Sequence, residues 1–408
     1  MNGISPSVAF VVLLLTASAM SDDRPPVVLS EHAAKLHRSS LLIDGHNDLP
    51  WEVRTKAGGS WKQADIATPQ PRFHTDIPRL KAGGVGAQFW SVYVPADTRF
   101  KGQSAHQVME QIDLVKRMVK RYPDTFELAD TAADVERIHK EGKIACLIGI
   151  EGGHAIENSL SLLRIFRQLG VRYMTLTHGD TLDWADSATD EAKHGGLTPF
   201  GEEIVVEMNR LGMLVDISHV SPDCMKDTLR VSKAPVIASH SSARAVTDHP
   251  RNVPDDVLKL VADNGGVVMV NFYSGFIVPE SAQIMNDWYA VRRKLKAEFT
   301  DDREYERESA RWWKEHPMPR GTIHDVVDHI DHIAKVAGVD HVGIGSDFDG
   351  IGTVPKQLED VSTYPLITQA LLDRGYSDDD IRKILGLNVL RVLRQADEVA
   401  SSMIGDAR

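Results

Sequence analysis

Six short apolar runs in this chain each lead into a residue that can hold a metal ion. Ser40 to Asp44 leads into His46-Asn47-Asp48, Ala145 to Ile150 into Glu151, and Arg172 to Thr177 into His178. Met213 to Ile217 leads into His219, Pro235 to Ser239 into His240, and His341 to Ser346 into Asp347. His46 and Asp48 are two residues apart, so on extended chain both side chains point to one side, about 6.5 Å of rise apart. An imidazole and a carboxylate placed that way can converge on one cation. Zinc accepts imidazole nitrogen and carboxylate oxygen, and a catalytic site keeps a position open for water. Any one of these residues is more often a hydrogen-bonded packing residue than a ligand; their joint placement at successive run ends is what points to metal chemistry.

Such convergence needs a scaffold that brings many strand ends together. Two further apolar runs, Gly86 to Val94 and Gly266 to Asn271, bring the number to eight, and helical stretches such as Ser159 to Gly170, Gly201 to Gly212, Asp255 to Asn264 and Thr322 to Ala337 lie between them. Alternating βα units predict a parallel sheet, and eight of them predict an α/β fold of the (β/α)8 TIM-barrel type, whose catalytic groups stand where strands end. A doubly wound open sheet is the alternative, but DGHNDLP follows the first strand where a Gly-rich phosphate loop would be expected. The charged stretch 277–320, helical-looking from Ala290 to Lys314, reads as an insertion between the seventh strand and the helix before the eighth. It either covers the site or forms a solvated helical pair with an oligomer contact. Ser377 to Ala396 reads as a packed terminal helix and 397–408 as a tail, leaving residues 20–396 as one barrel domain.

Composition narrows the function classes. A chain of 408 residues with 42% hydrophobic and 25% charged residues can bury a large core. Its net charge of -12 and lack of a basic stripe exclude nucleic acid as the main partner. At the N-terminus the run Val8 to Leu15 followed by Ala17-Ser18-Ala19 has the layout of a signal peptide, with cleavage expected near Ala19 and a secreted or periplasmic mature protein. The run is too short to span a bilayer. Two cysteines, Cys146 and Cys224, make no disulfide framework and read as buried small hydrophobes. The ending SSMIGDAR has no hydrophobic tail, so no GPI anchor is expected.

Other histidines are weighed against this set. His324, His329 and His332 sit among aspartates beside the apolar face of Val326, Val327, Ile330 and Ile333, and are assigned to a solvated side without metal. His74, His194, His249 and His316 lie in polar loops and read as surface residues, while His154 lies close enough behind Glu151 to support a ligand.

The segments DGHNDLPW, TDIPRLKAGGVGAQFWSVYVP, IGIEGGH, YMTLTH, VDISHVS, ASHSSARAV, HPRNVPDD and GIGSDFDG together resemble the successive signature segments of the membrane (renal) dipeptidase family over nearly the whole mature chain. The resemblance implies two Zn2+ ions per chain, with His46 and Asp48 on one, His219 and His240 on the other, and Glu151 bridging both. It implies that His178 contacts the substrate carbonyl, that Arg251 and Tyr273 grip the terminal carboxylate of a dipeptide, and that Asp347 partners its free amine and shuttles a proton. Dipeptide hydrolysis by a metal-bridging hydroxide is the implied reaction, and a homodimer is the common family state. The stretch 277–320 is longer than in the mammalian members, and Tyr273 lies just before it. The competing readings are an amidohydrolase of the same barrel superfamily acting on N-acyl amino acids or lactams, and a zinc-dependent binding protein that has lost turnover.

Overall fold

Nine parallel strands carry the molecule: β1 Leu42–Asn47, β2 Val85–Ser91, β3 Phe126–Leu128, β4 Ile144–Glu151, β5 Val171–Thr175, β6 Leu214–Asp216, β7 Ile237–Ala238, β8 Val267–Val270 and β9 Val342–Ile344. They are described by a computed structural model covering residues 24–299 and 301–405. The hydrogen-bonded order runs β2-β1-β9-β8-β7-β6-β5-β4-β3, and a further pairing of β2 with β4 closes the ring. The closed barrel therefore has eight strands, as the alternating pattern predicts. β3 is a ninth strand that the eight-run reading omits. Three residues long, it pairs with Ile144 to Cys146 while β5 pairs further along, with Ile148 to Glu151. A run so short carries no periodicity of its own.

Alternation along β4 shows how the barrel is filled. Ala145 and Leu147 join an interior cluster with Ile43, Phe89, Leu214, Ile237, Val267 and Met269, whereas Cys146, Ile148 and Ile150 join the larger cluster under the outer helices. Glu151 shares the parity of Leu147, so the same alternation delivers its carboxylate to the barrel mouth. Gly149, between them, is required: a Cβ there would stand 2.0 Å from the ring of Tyr173. Val389, Leu390 and Leu393 belong to the interior cluster too. They come from the last helix, Asn388–Gly405, which thereby seals the barrel base.

Three expectations need correction in detail. The terminal segment is not one helix ending at Ala396: a short helix Asp378–Arg382, a π-helical turn Lys383–Leu387 and the helix Asn388–Gly405 follow one another, so most of 397–408 is helix and not tail. His329 is fully buried, its Nδ1 accepting from the Ala243 N–H at 3.0 Å. His249 is buried as well, with Nδ1 accepting from the Arg251 N–H at 3.1 Å. Residues 1–19, read as a signal peptide, lie outside the described residues. Among the described residues no helix is long and apolar enough to cross a membrane.

The insertion forms two helices, Pro279–Glu298 and Asp302–Glu315. Trp288 of the first lies with its ring centroid 5.2 Å from Trp312 and 5.1 Å from Trp313 of the second. Aromatic pairs at this spacing hold the hairpin together.

Candidate active site

Every residue singled out at a run end arrives at the same end of the barrel. His46 is in β1, Asp48 precedes the helix Leu49–Ala57, and Glu151 closes β4. His178, His219, His240 and Asp347 follow β5, β6, β7 and β9 by two or three residues. His219 and Asp347 have φ of 68° and 65°, and Asp349 66°. Non-glycine residues in this left-handed region are uncommon and cost free energy, which the surrounding loops must supply.

Glu151 is the centre of the arrangement. Its Oε2 faces His46 Nε2 at 3.6 Å, and His46 Nε2 lies 3.1 Å from Asp48 Oδ2. Its Oε1 faces His219 Nε2 at 3.0 Å, His240 Nε2 at 3.5 Å and His178 Nε2 at 3.6 Å. One carboxylate thus presents its two oxygens to two separate donor sets.

Hydrogen bonds behind the imidazoles decide which nitrogen is free. Ser239 Oγ donates to Asp216 Oδ2 at 2.6 Å, so it accepts from His240 Nδ1 at 2.8 Å and leaves His240 Nε2 without a proton. Tyr173 Oη donates to the Gly45 carbonyl at 3.3 Å and accepts from His46 Nδ1 at 2.8 Å, leaving His46 Nε2 bare by the same reasoning. This is the back-side anchoring that metal-binding histidines usually show. Asp216 and Tyr173 are the residues that sequence reasoning missed here. Asp216 ends β6, where a polar residue in an apolar run was the available signal.

Several observations test whether these residues fit metal ions. His46 Nε2 and Asp48 Oδ1 are buried with no hydrogen-bond partner. His219 Nε2 and His240 Nε2 stand 2.9 Å apart. Burial holds the pKa of both rings well below the usual histidine value, so both are neutral and the bare Nε2 of His240 faces His219 Nε2, a pair that a cation near both would satisfy. His46 is opposite in character: burial disfavours its charge, but Tyr173, Asp48 and Glu151 outweigh it, and its pKa lies well above normal. The site therefore favours positive charge at Nε2, which a metal supplies while the ring itself stays neutral. Three sets, His46 with Glu151 and His240, Glu151 with His178 and His219, and His46 with Asp48 and Asp347, bring candidate ligand atoms within 4.8 Å of one another. The donors fit.

Around this centre lies a cavity of about 390 Å³ lined by Asp48, Trp51, Tyr93, His178, Arg251, Tyr273, Phe276, Asp347 and Asp349, among others. Arg251 is 1% exposed, donates to Ser241 Oγ at 3.2 Å and to the His240 carbonyl at 3.1 Å, and leaves Nε without a partner. Among the described residues no carboxylate lies within 4.0 Å of it. Asp347 accepts from Asn271 Nδ2 at 2.8 Å, and burial, opposed by His46 and reinforced by Asp48 and Glu151, pushes its pKa up to about 8. Tyr273 lines the cavity and turns its hydroxyl to Met285 Sδ at 3.2 Å. His154 Nε2 donates to the Val94 carbonyl at 3.0 Å, and burial lowers its pKa to about 4, so it is held as a neutral ring.

Residues 30–405 match the family model described as membrane dipeptidase, Peptidase family M19. The chain belongs to the membrane dipeptidase family. The M19 chain is 40% identical over 384 residues to Dipeptidase 3 of Mus musculus, covering 93% of this chain and 69% of the mouse protein. A probable dipeptidase, PvdM, from Pseudomonas aeruginosa has a structure similar at a TM-score of 0.81 with 27% identity, covering 90% of this chain and 98% of that one. A metallo peptidase from Rhodobacter sphaeroides, liganded with a phosphinate mimic of the dipeptide L-Ala-D-Ala, is similar at a TM-score of 0.71 with 25% identity, covering 88% and 100%. This M19 protein is accordingly a metallopeptidase with a TIM-barrel fold.

Proposed function

We propose that this M19 member is a binuclear zinc dipeptidase that requires a free C-terminal carboxylate. The buried guanidinium of Arg251, lining the cavity with no carboxylate near it, carries the reading. A buried charge without an ionic partner is costly, and a planar fork of this kind matches a carboxylate in two parallel bonds. The likeness to a peptidase holding a dipeptide mimic supports the same substrate class.

His46 and Asp48 would hold one zinc, His219 and His240 the other, and Glu151 would bridge them. Two zinc ions so placed would polarise the scissile carbonyl and lower the pKa of a bound water to about 7. The chain's own groups supply the rest. Arg251, with Tyr273 beside it, takes the C-terminal carboxylate and so sets substrate length. His178, whose side chain is 28% exposed, donates towards the carbonyl oxygen as charge develops on it. Asp347, beside His46 and Asp48, receives the free amine and holds the proton that the departing amine needs. We also propose export of the mature chain, on the residues Val8 to Ala19, which N-terminal sequencing of protein from the native host checks.

Turnover of Ala–Ala, its C-terminal amide and its N-acetyl derivative, measured with zinc content on the same preparation, tests the proposal. Cleavage of the free dipeptide alone, with close to two zincs per chain, is expected. Equal cleavage of the amide would remove the carboxylate clamp, and preference for the N-acetyl compound would favour an N-acyl amidohydrolase.

A further inference from the structure

The inserted helix Pro279–Glu298 packs one stripe against residues of the cavity wall, Tyr273 among them. Met285, Tyr289, Arg292 and Lys296 recur at intervals of four, three and four residues, so they share one face. Met285 meets the Tyr273 hydroxyl. Tyr289 lies with its ring centroid 5.7 Å from His249, which accepts from the backbone N–H of Arg251. One turn on, Arg292 reaches the loop behind His178: its Nη1 stands 3.5 Å from where a Cβ on Gly179 would be, and its Nη2 3.9 Å from Asp180 Oδ1.

Asp180 already has a partner. Arg99, in the turn Ala96–Lys101 after β2, donates to its Oδ2 at 3.1 Å. Burial works against the ionised form of Asp180, yet Lys296, Arg99 and Arg292 together keep its pKa below normal. Three cations therefore gather on one carboxylate, in a chain whose net charge is -12. The side chain of Arg292 is 30% exposed, and its contact with Asp180 is long, so its fork is free to meet a second anion.

We propose that Arg292, backed by Lys296, selects dipeptides whose C-terminal residue carries an acidic side chain. The inference rests on the dipeptidase reading and sharpens it. Tyr289 lies near both Arg251 and Arg292, so with the terminal carboxylate at Arg251 the side chain of the same residue would extend towards Arg292. A glutamate or aspartate there meets a cation in excess, whereas a lysine meets repulsion.

The test compares kcat/KM for Ala–Glu, Ala–Gln, Ala–Lys and Ala–Ala, the second residue supplied in whichever of the L and D forms is cleaved. Ala–Glu should exceed its isostere Ala–Gln by about ten-fold at low salt in the wild type. In Arg292→Gln the ratio should fall towards one, in Arg292→Lys part of it should remain, and in Arg292→Glu Ala–Lys should overtake Ala–Glu. Because each ratio is taken within one preparation, loss of folded protein cancels. A wild-type ratio at or below one, or a ratio that survives in Arg292→Gln, overturns the inference while Ala–Ala turnover leaves the dipeptidase reading standing. Absence of turnover on all four would sink that reading itself.

Discussion

The strand-end cluster and the inserted helix, which packs behind Tyr273 of the cavity wall, are held in place by different means. At the strand ends each group is anchored from behind: His240 by Ser239 and Asp216, His46 by Tyr173, Asp347 by Asn271. These side chains are almost fully buried and have little freedom left. The inserted helix offers Arg292 and Lys296 from one face, Arg292 partly exposed and held to Asp180 by a contact of 3.9 Å. Rigid, desolvated groups suit bond-breaking chemistry, and looser, half-solvated charges suit discrimination among substrates. The difference predicts that substitutions at the strand ends change whether the enzyme works, and that substitutions on the insertion change what it prefers.

The largest effect should come from Glu151→Gln. A neutral amide bridges two cations poorly, so zinc content should drop towards one or fewer per chain, with kcat reduced by about three orders of magnitude or more. Mass-spectrometric metal analysis checks it, and an unchanged zinc content would separate Glu151 from the metals. Next, Arg251→Ala should lower kcat/KM for Ala–Ala by about 2–4 kcal/mol while leaving zinc content intact. The dipeptide amide should lose far less, and an equal loss on both substrates would break the clamp.

A third prediction concerns the seam between the two regions. His329 takes the Ala243 N–H on one side and reaches the Ile277 carbonyl at 3.4 Å on the other, joining the strand-end loops to the start of the insertion. Burial lowers its pKa to about 4, that of His154 and His74 also to about 4, and that of His249 to about 3. Unfolded, each binds a proton near pH 6.5; folded, none does until pH 4 or below. Stability should therefore fall as pH drops from about 6.5 to 4, by up to about 1.4 kcal/mol per histidine per pH unit. Thermal melts across that range, compared with His329→Gln, check the sign; a flatter profile in the variant is expected. The smallest effect should come from Trp288→Ala, which loosens the insertion hairpin. Tryptic cleavage between Arg292 and Lys314 should quicken, with zinc content unchanged.

Sequence legibility followed the same division. The metal-type residues could be read because each stands just past an apolar run, and the fold because eight such runs alternate with amphipathic stretches. Resemblance to a known family supplied the pairing of ligands, which spacing alone left open. His329 was misread although the signal was present: it sits three residues from Val326 and four from Ile333, inside the apolar stripe and not opposite it. His249 gave no signal, since nothing in a polar loop tells that Phe276 and Tyr289 will cover it. The stripe Met285–Tyr289–Arg292–Lys296 was equally silent, because a helix that sets charges behind a cavity wall has the same pattern as one that faces water.

Sealing the barrel base with the helix Asn388–Gly405 has a consequence in time. β1 pairs with β9 through Asp44 and Ile344, and the interior cluster joins Ile43 to Leu393, so the ring and its plug both wait for the last part of the chain. Contacts spanning some three hundred residues form slowly, since loop closure must precede their reward. A ribosome emitting this protein thus releases an open, unclosed string of βα units until synthesis is nearly finished.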